Sequence, residues 1–261
     1  MHKLFKVKTN LSNMKIVFTP NWFLHGDVAI EIFSFIILAI FFLLCLRSYK
    51  IGKNKNTLFL GIGFLIIAVA ELSIIFTKAV LYYDTILIQQ IGQMIVTYNV
   101  AKSVDIFYYL GFFVHRLFTL IGLYVIYRLP MKKGKISDYL LAIYFIALSA
   151  LFSFMGAYYL FHLTALLLLA MIINNYLKVY NENKSHNTKI LIIAFLMLAL
   201  SQIIFILSKL NIAYAIAQII QLVSYIILLV LIINILENGK KTDPDRDNSR
   251  YAVNSSRKRQ S

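Results

Sequence analysis

Apolar residues fall in seven long runs separated by short polar connections. The runs cover about 27–47, 57–82, 105–128, 138–154, 157–178, 188–208 and 212–236. A hydrocarbon core about 30 Å thick takes about 20 residues at 1.5 Å each. The pattern therefore predicts an all-α, polytopic bundle of seven transmembrane helices. The first run, DVAIEIFSFIILAIFFLLCL after Gly26, is too long for a signal-peptide core. No small-residue cleavage site follows it, so it reads as a retained span. The fourth and fifth runs are joined by SFMGAYY, which predicts a tight helical hairpin. The longest connection, about 83–104, holds TILIQQIGQMIVTYNV. It is too polar and too short to span, and parts of it alternate as a strand or interfacial segment would. No internal repeat is visible.

Three regions result: an N-terminal segment over 1–26, a transmembrane domain over 27–236, and a polar tail over 237–261. The tail reads as disordered, with a basic cluster able to touch anionic headgroups. Seven spans and their connections use nearly the whole length and leave no room for a soluble catalytic domain. Any signal would have to pass to a separate protein.

Composition agrees with this picture. The 261 residues are 60% hydrophobic and only 14% charged, against roughly 25% charged in soluble domains. A net charge of +15 does not point to nucleic acid here, because the basic residues lie in the connections and the tail. The first connection carries Arg47, Lys50, Lys53 and Lys55. The third carries Arg128, Lys132, Lys133 and Lys135, and the fifth Lys178, Lys184 and Lys189. The tail adds Lys240, Lys241, Arg246, Arg250, Arg257, Lys258 and Arg259, while the opposite connections hold Lys102 and Lys209. Short basic connections stay cytoplasmic, which places the N-terminus outside and the C-terminus inside a cell membrane. Lys3, Lys6, Lys8 and Lys15 run against this rule. Translation from Met14 would leave only Lys15 outside; the other reading is a short outer basic arm.

Charged and polar residues inside spans cost free energy and need a reason. Glu71 and Arg116 sit about halfway along the second and third runs. An ion pair between them is the simplest expectation, either as a helix lock or as a functional switch. Lys78 shares a face with Glu71 and, near a span end, is expected to snorkel. Gly111, His115, Thr119 and Gly122 share a face of the third run, where small residues allow close helix approach. His162, Gln202, Glu31 and Ser34 lie in the outer halves of their runs, and Tyr214, Gln218, Gln221 and Tyr225 form a stripe on the seventh. Together these predict an outer-half polar cluster, either a small cavity or a set of interhelical hydrogen bonds. His115, His162 and Glu71, with Glu31, are conceivable metal ligands by residue type. No HExxH helix or metal-spaced histidine pair supports them, and a bis-histidine haem would need His115 and His162 at one depth, where the runs set them about a turn or more apart.

Several signatures are absent. The last run has no lysine for a retinal Schiff base, and Pro20, Pro130 and Pro244 all lie outside the runs. Unbroken helices without a repeat argue against an alternating-access transporter. DRY, NPxxY, GxSG, paired intramembrane aspartates and Gly-rich phosphate loops are all missing. Cys45 is the single cysteine, so neither an intrachain disulfide nor a cysteine-based zinc site is available.

The segments FTPNWFLHGDVAIEI, KNTLFLGIGFLIIAVAEL, IGQMIVTYNVAKSVDIFYYLGFFVHRLFTLIGLYVIYRLP and YYLFHLTALLLL resemble a family of archaeal seven-span membrane proteins over about 14–236. The resemblance implies an archaeal cell membrane and a start at Met14, and supplies no activity. RSYK before the second run is similar, generically, to seven-span input modules of microbial sensors. The expectation is a non-enzymatic sensor or receptor-like module with membrane lipid around it, a membrane or cytoplasmic protein as partner, no cofactor and an unknown small ligand. The alternatives are an intramembrane metal- or haem-dependent enzyme and a structural partner within the membrane.

Overall fold

The computed structural model describes residues 23–90, 97–129, 136–154, 158–207 and 211–241. They form α1 (Leu24–Gly52), α2 (Lys55–Gln90), α3 (Thr97–Arg128), α4 (Ile136–Phe154), α5 (Tyr158–Asn183), α6 (His186–Ile206) and α7 (Asn211–Lys241). Six of them carry long apolar spans: Gly26–Gly52, Lys55–Val80, Leu110–Arg128, Tyr159–Asn183, His186–Ile206 and Ile212–Glu237. In α4 the apolar stretch is shorter, Ala142–Phe152. The protein is an all-helical membrane protein.

The connection over 83–104 departs from expectation. Helix α2 runs on to Gln90 and α3 already begins at Thr97, so most of it is helical, and 91–96 lie outside the described residues. No proline interrupts the intrahelical hydrogen bonds there. The expected hairpin turn after α4 falls on 155–157, also outside the described residues, although α4 and α5 do pack together. The N-terminal segment before Phe23 and the tail after Lys241 lie outside them as well.

Six helices close a ring in the order α1, α2, α3, α5, α6, α7 and back to α1. Helix α4 stands outside it against α3 and α5. Each ring helix sorts its side chains by helical period. On α7, Ile212, Ile216, Ile219, Val223, Ile226, Val230 and Ile233 are exposed and form the face offered to lipid. Tyr214, Gln218, Gln221 and Tyr225 recur at the same spacing on the opposite face. Lipid rewards the apolar stripe and rejects the polar one, which turns inward.

Close helix approach depends on glycine at α2–α3. A Cβ on Gly122 would stand 2.7 Å from the carbonyl oxygen of Gly63, and one on Gly111 would stand 1.8 Å from Thr77 Oγ1. Ser73 Oγ donates to the Gly111 carbonyl at 3.3 Å along the same seam. At the end where α1 and α5 finish, two tight turns share one design. Lys53 (φ 51°) and Lys184 (φ 47°) are left-handed, and their N–H groups bond the Tyr49 and Tyr180 carbonyls at 2.7 Å.

The half of the ring nearest these turns is dry. Phe41 meets Phe64 edge-on with centroids 4.9 Å apart. Phe64 stacks on Phe195 at 6.3 Å, and Phe195 on Tyr176 at 5.7 Å. This aromatic run crosses from α1 through α2 and α6 to α5, with Leu38, Ile172 and Leu228 packed around it.

Candidate functional site

The opposite half, where α1, α3, α5 and α7 begin, encloses a polar cavity of about 140 Å³. All six ring helices line it and α4 does not. Its polar groups form two tiers.

The first tier lies nearer the bundle end. Asp27 and Glu31 are one turn apart on α1 and so share a face. Both approach Lys78 of α2: Nζ donates to Asp27 Oδ2 at 2.6 Å and to Glu31 Oε1. Its third N–H donates to the Tyr214 hydroxyl of α7 at 3.2 Å. An ammonium has three donors, and all three are engaged. Gln218 Nε2 also donates to that hydroxyl, at 3.0 Å. The side chains are sealed off: Asp27 is 0% exposed, Lys78 2% and Glu31 4%. Among the described residues, Glu31 Oε2 is the one buried side-chain oxygen or nitrogen without a hydrogen-bond partner.

The second tier lies two helical turns deeper, about 10 Å along α2. Gln221 Nε2 donates to Glu71 Oε1 at 3.1 Å and to the Tyr225 hydroxyl at 3.0 Å. His162 Nδ1 meets Gln202 Oε1 at 2.9 Å, joining α5 to α6. The His162 ring stacks on Phe205 with centroids 5.0 Å apart and meets Phe161 edge-on at 4.9 Å. His115 stands 6.1 Å from the Phe161 ring. The Arg116 guanidinium lies 5.8 Å from the centre of the Phe112 ring. Thr119 closes this side with a bond to the His115 carbonyl at 2.8 Å.

All of Glu31, Ser34, Glu71, His115, Arg116, His162, Gln202, Gln218 and Gln221 line this one cavity. Two expectations need correction. No ion pair joins Glu71 to Arg116; those of the described residues run from Lys78 to Asp27 and Glu31. The two groups are level all the same. The contacts Gly111–Thr77 and Gly122–Ile67 set an antiparallel register that puts Arg116 beside residues 70–73 of α2. Arg116 stacks on Phe112, and Glu71 takes its donor from α7. Lys78, in turn, does not snorkel. Two carboxylates inside the bundle hold its ammonium better than a route out to the headgroups. Asp27 was missed, although its four-residue spacing from Glu31 marks a shared acidic face.

No three His, Cys, Asp or Glu side chains converge closely enough to hold a metal ion among the described residues. His115, His162 and Glu71 therefore line the cavity without forming a ligand set. Cys45 is buried at the dry end. Fold and site together define a helical, multi-pass membrane protein with a polar cavity enclosed by six of its helices. No family model, no curated protein and no solved structure matches the chain.

Proposed function

We propose that this protein is a seven-span, sensor- or receptor-like module that binds a small molecule in the ringed cavity. The observation carrying this reading is the division of the ring into two halves. One half holds a cavity lined by charged, aromatic and amide side chains from six helices. The other is plugged by Phe41, Phe64 and Phe195, each at most 1% exposed. A cavity with a dry floor favours binding over passage. In this reading α4 is the seventh span, the cavity opens to the outside, and the basic connections face the cytoplasm.

Lys78 supplies a route for a signal, since its ammonium ties α1, α2 and α7 together. A ligand that changes the partners of Glu31 changes what holds these helices in register. Their other ends carry the turn at Lys53 and the end of α7, where a partner protein can read a small helix shift.

The test is thermal protection in mild detergent. The single thiol, Cys45, is 0% exposed, so a thiol-reactive fluorophore labels the protein only as it unfolds. A panel of small amines, alcohols, carboxylates and amino acids should include compounds that raise the labelling midpoint. That protection should vanish in Ala165→Phe, which fills the cavity. If no member of the panel protects, the binding reading is wrong.

A further inference from the structure

Resting on the binding reading above, we infer that the cavity takes a small primary ammonium compound, an apolar body with one cationic head, whose N–H groups bond Glu31 Oε2. Glu31 Oε2 is buried, lines the cavity and has no donor. A buried carboxylate oxygen without a donor carries a desolvation penalty that a ligand donor would remove. Among the described residues no protein group supplies that donor. The three donors of Lys78 go to Asp27, Glu31 Oε1 and Tyr214; Gln218 stands beside Glu31, but its Nε2 bonds the Tyr214 hydroxyl, and Gln221 bonds Glu71 and Tyr225.

Charge selects the kind of donor. Asp27, Glu31 and Lys78 together carry a formal charge of −1 when ionised; in the deeper tier Glu71 and Arg116 line the cavity at one level and offset each other, so the excess negative charge lies at the Glu31 end. A cationic head is attracted by this arrangement and an anionic one is repelled. The rings of Phe112, Phe161, Phe205 and Tyr214 line the same space. They offer faces to a cation and a surface to an apolar body. Size limits that body. A volume of about 140 Å³ is close to that of an apolar protein cavity that holds benzene. A quaternary ammonium has no N–H to give Glu31, and a multivalent metal finds no three-ligand set.

The test compares three probes matched in size and ring: benzylammonium, benzyl alcohol and benzoate. Each is titrated into the detergent-solubilised protein at neutral pH, with Cys45 labelling as the readout of unfolding. Benzylammonium is expected to bind about tenfold or more tightly than the other two, as a charge-assisted hydrogen bond implies. Ala165→Phe should abolish the binding, with Ala165→Leu as the milder block should the larger ring prevent folding. Glu31→Gln should remove the preference for the amine. Benzyl alcohol or benzoate binding equally well, with loss in Ala165→Phe, overturns the ammonium assignment and leaves the cavity as a binding site. Amine protection that survives both Ala165 variants places the binding elsewhere and overturns the inference too. Protection by none of the three overturns it, and failure of the wider panel as well removes the binding reading beneath it.

Discussion

Lys78→Met tests the first tier most directly. Methionine keeps an unbranched stem of similar length and removes only the charge and its three donors. Asp27 and Glu31 are then left facing each other one turn apart, at 0% and 4% exposure. Removing one partner of a buried ion pair costs about 3–5 kcal/mol, because the remaining charge is neither solvated nor paired. Two orphaned carboxylates put this site at the upper end of that range. For a chain of this size, such a loss corresponds to a fall in the unfolding midpoint of the order of 10 °C. The assay is Cys45 labelling during a thermal ramp in one detergent, for the parent, for Lys78→Met, and for Lys78→Met combined with Asp27→Asn and Glu31→Gln. The triple variant carries no buried charge in the first tier and should recover to within about 1 kcal/mol of the parent, as neutral replacements of buried ionic groups often do. A single variant within about 1 kcal/mol of the parent, or a triple variant as unstable as the single, would refute the account of a buried shared ammonium.

Three further outcomes test the rest of the structure. Gly111→Ala should lower stability by about 1–3 kcal/mol by forcing α2 from α3, since its Cβ would meet Thr77 Oγ1 at 1.8 Å; Gly52→Ala, with nothing within 4 Å, should leave the labelling midpoint unchanged or slightly raised. Gln202→Leu breaks the 2.9 Å bond to His162 and should cost about 0.6–1.7 kcal/mol, the range for hydrogen bonds between membrane helices; no change in the midpoint would mean that the bond contributes nothing. Lys53→Cys and Lys184→Cys place new thiols in the two exposed turns, with Cys45 left buried. An impermeant maleimide should reach both only from the cytoplasmic side of sealed vesicles, and labelling from opposite sides would break the proposed topology.

Much of the helical pattern was legible because the bilayer leaves a chain few choices. An apolar run of this length must satisfy its backbone internally, and a helix does so alone. What hydropathy could not set was where each helix stops. Helix α2 continues to Gln90 and α3 begins at Thr97, past the apolar limits, because helices extend wherever backbone and side chains permit, not only within lipid. The peripheral place of α4 was closer to the surface of the sequence. From Tyr139 to Phe154 its polar side chains other than tyrosine are Ser149 and Ser153. Ser149 meets Thr164 of α5 at 2.7 Å, a contact to one neighbour. A helix with nothing to contribute to a polar interior loses little by standing outside the ring.

The candidate site was legible as a set of residues but not as a set of partners. Each ring helix shows its polar stripe by period alone, so the convergence of Glu31, Glu71, His115, Arg116, His162, Gln202, Gln218 and Gln221 on one cavity follows from turning those stripes away from lipid. Pairing is a different question, since depth does not decide it. Glu71 and Arg116 are level, yet Glu71 is taken up by Gln221 across the bundle. That choice depends on where α7 closes the ring against α1, a long-range contact that no local spacing encodes. Lys78 was recoverable by a stricter argument. Glu31 and Lys78 stand at nearly equal distances along the chain from the turn at Lys53 and Asn54, so an antiparallel pair brings them to one level. Asp27 adds a second carboxylate on the same face. A cation facing two carboxylates within reach inside the bundle has no reason to extend toward the headgroups, and snorkelling loses to pairing.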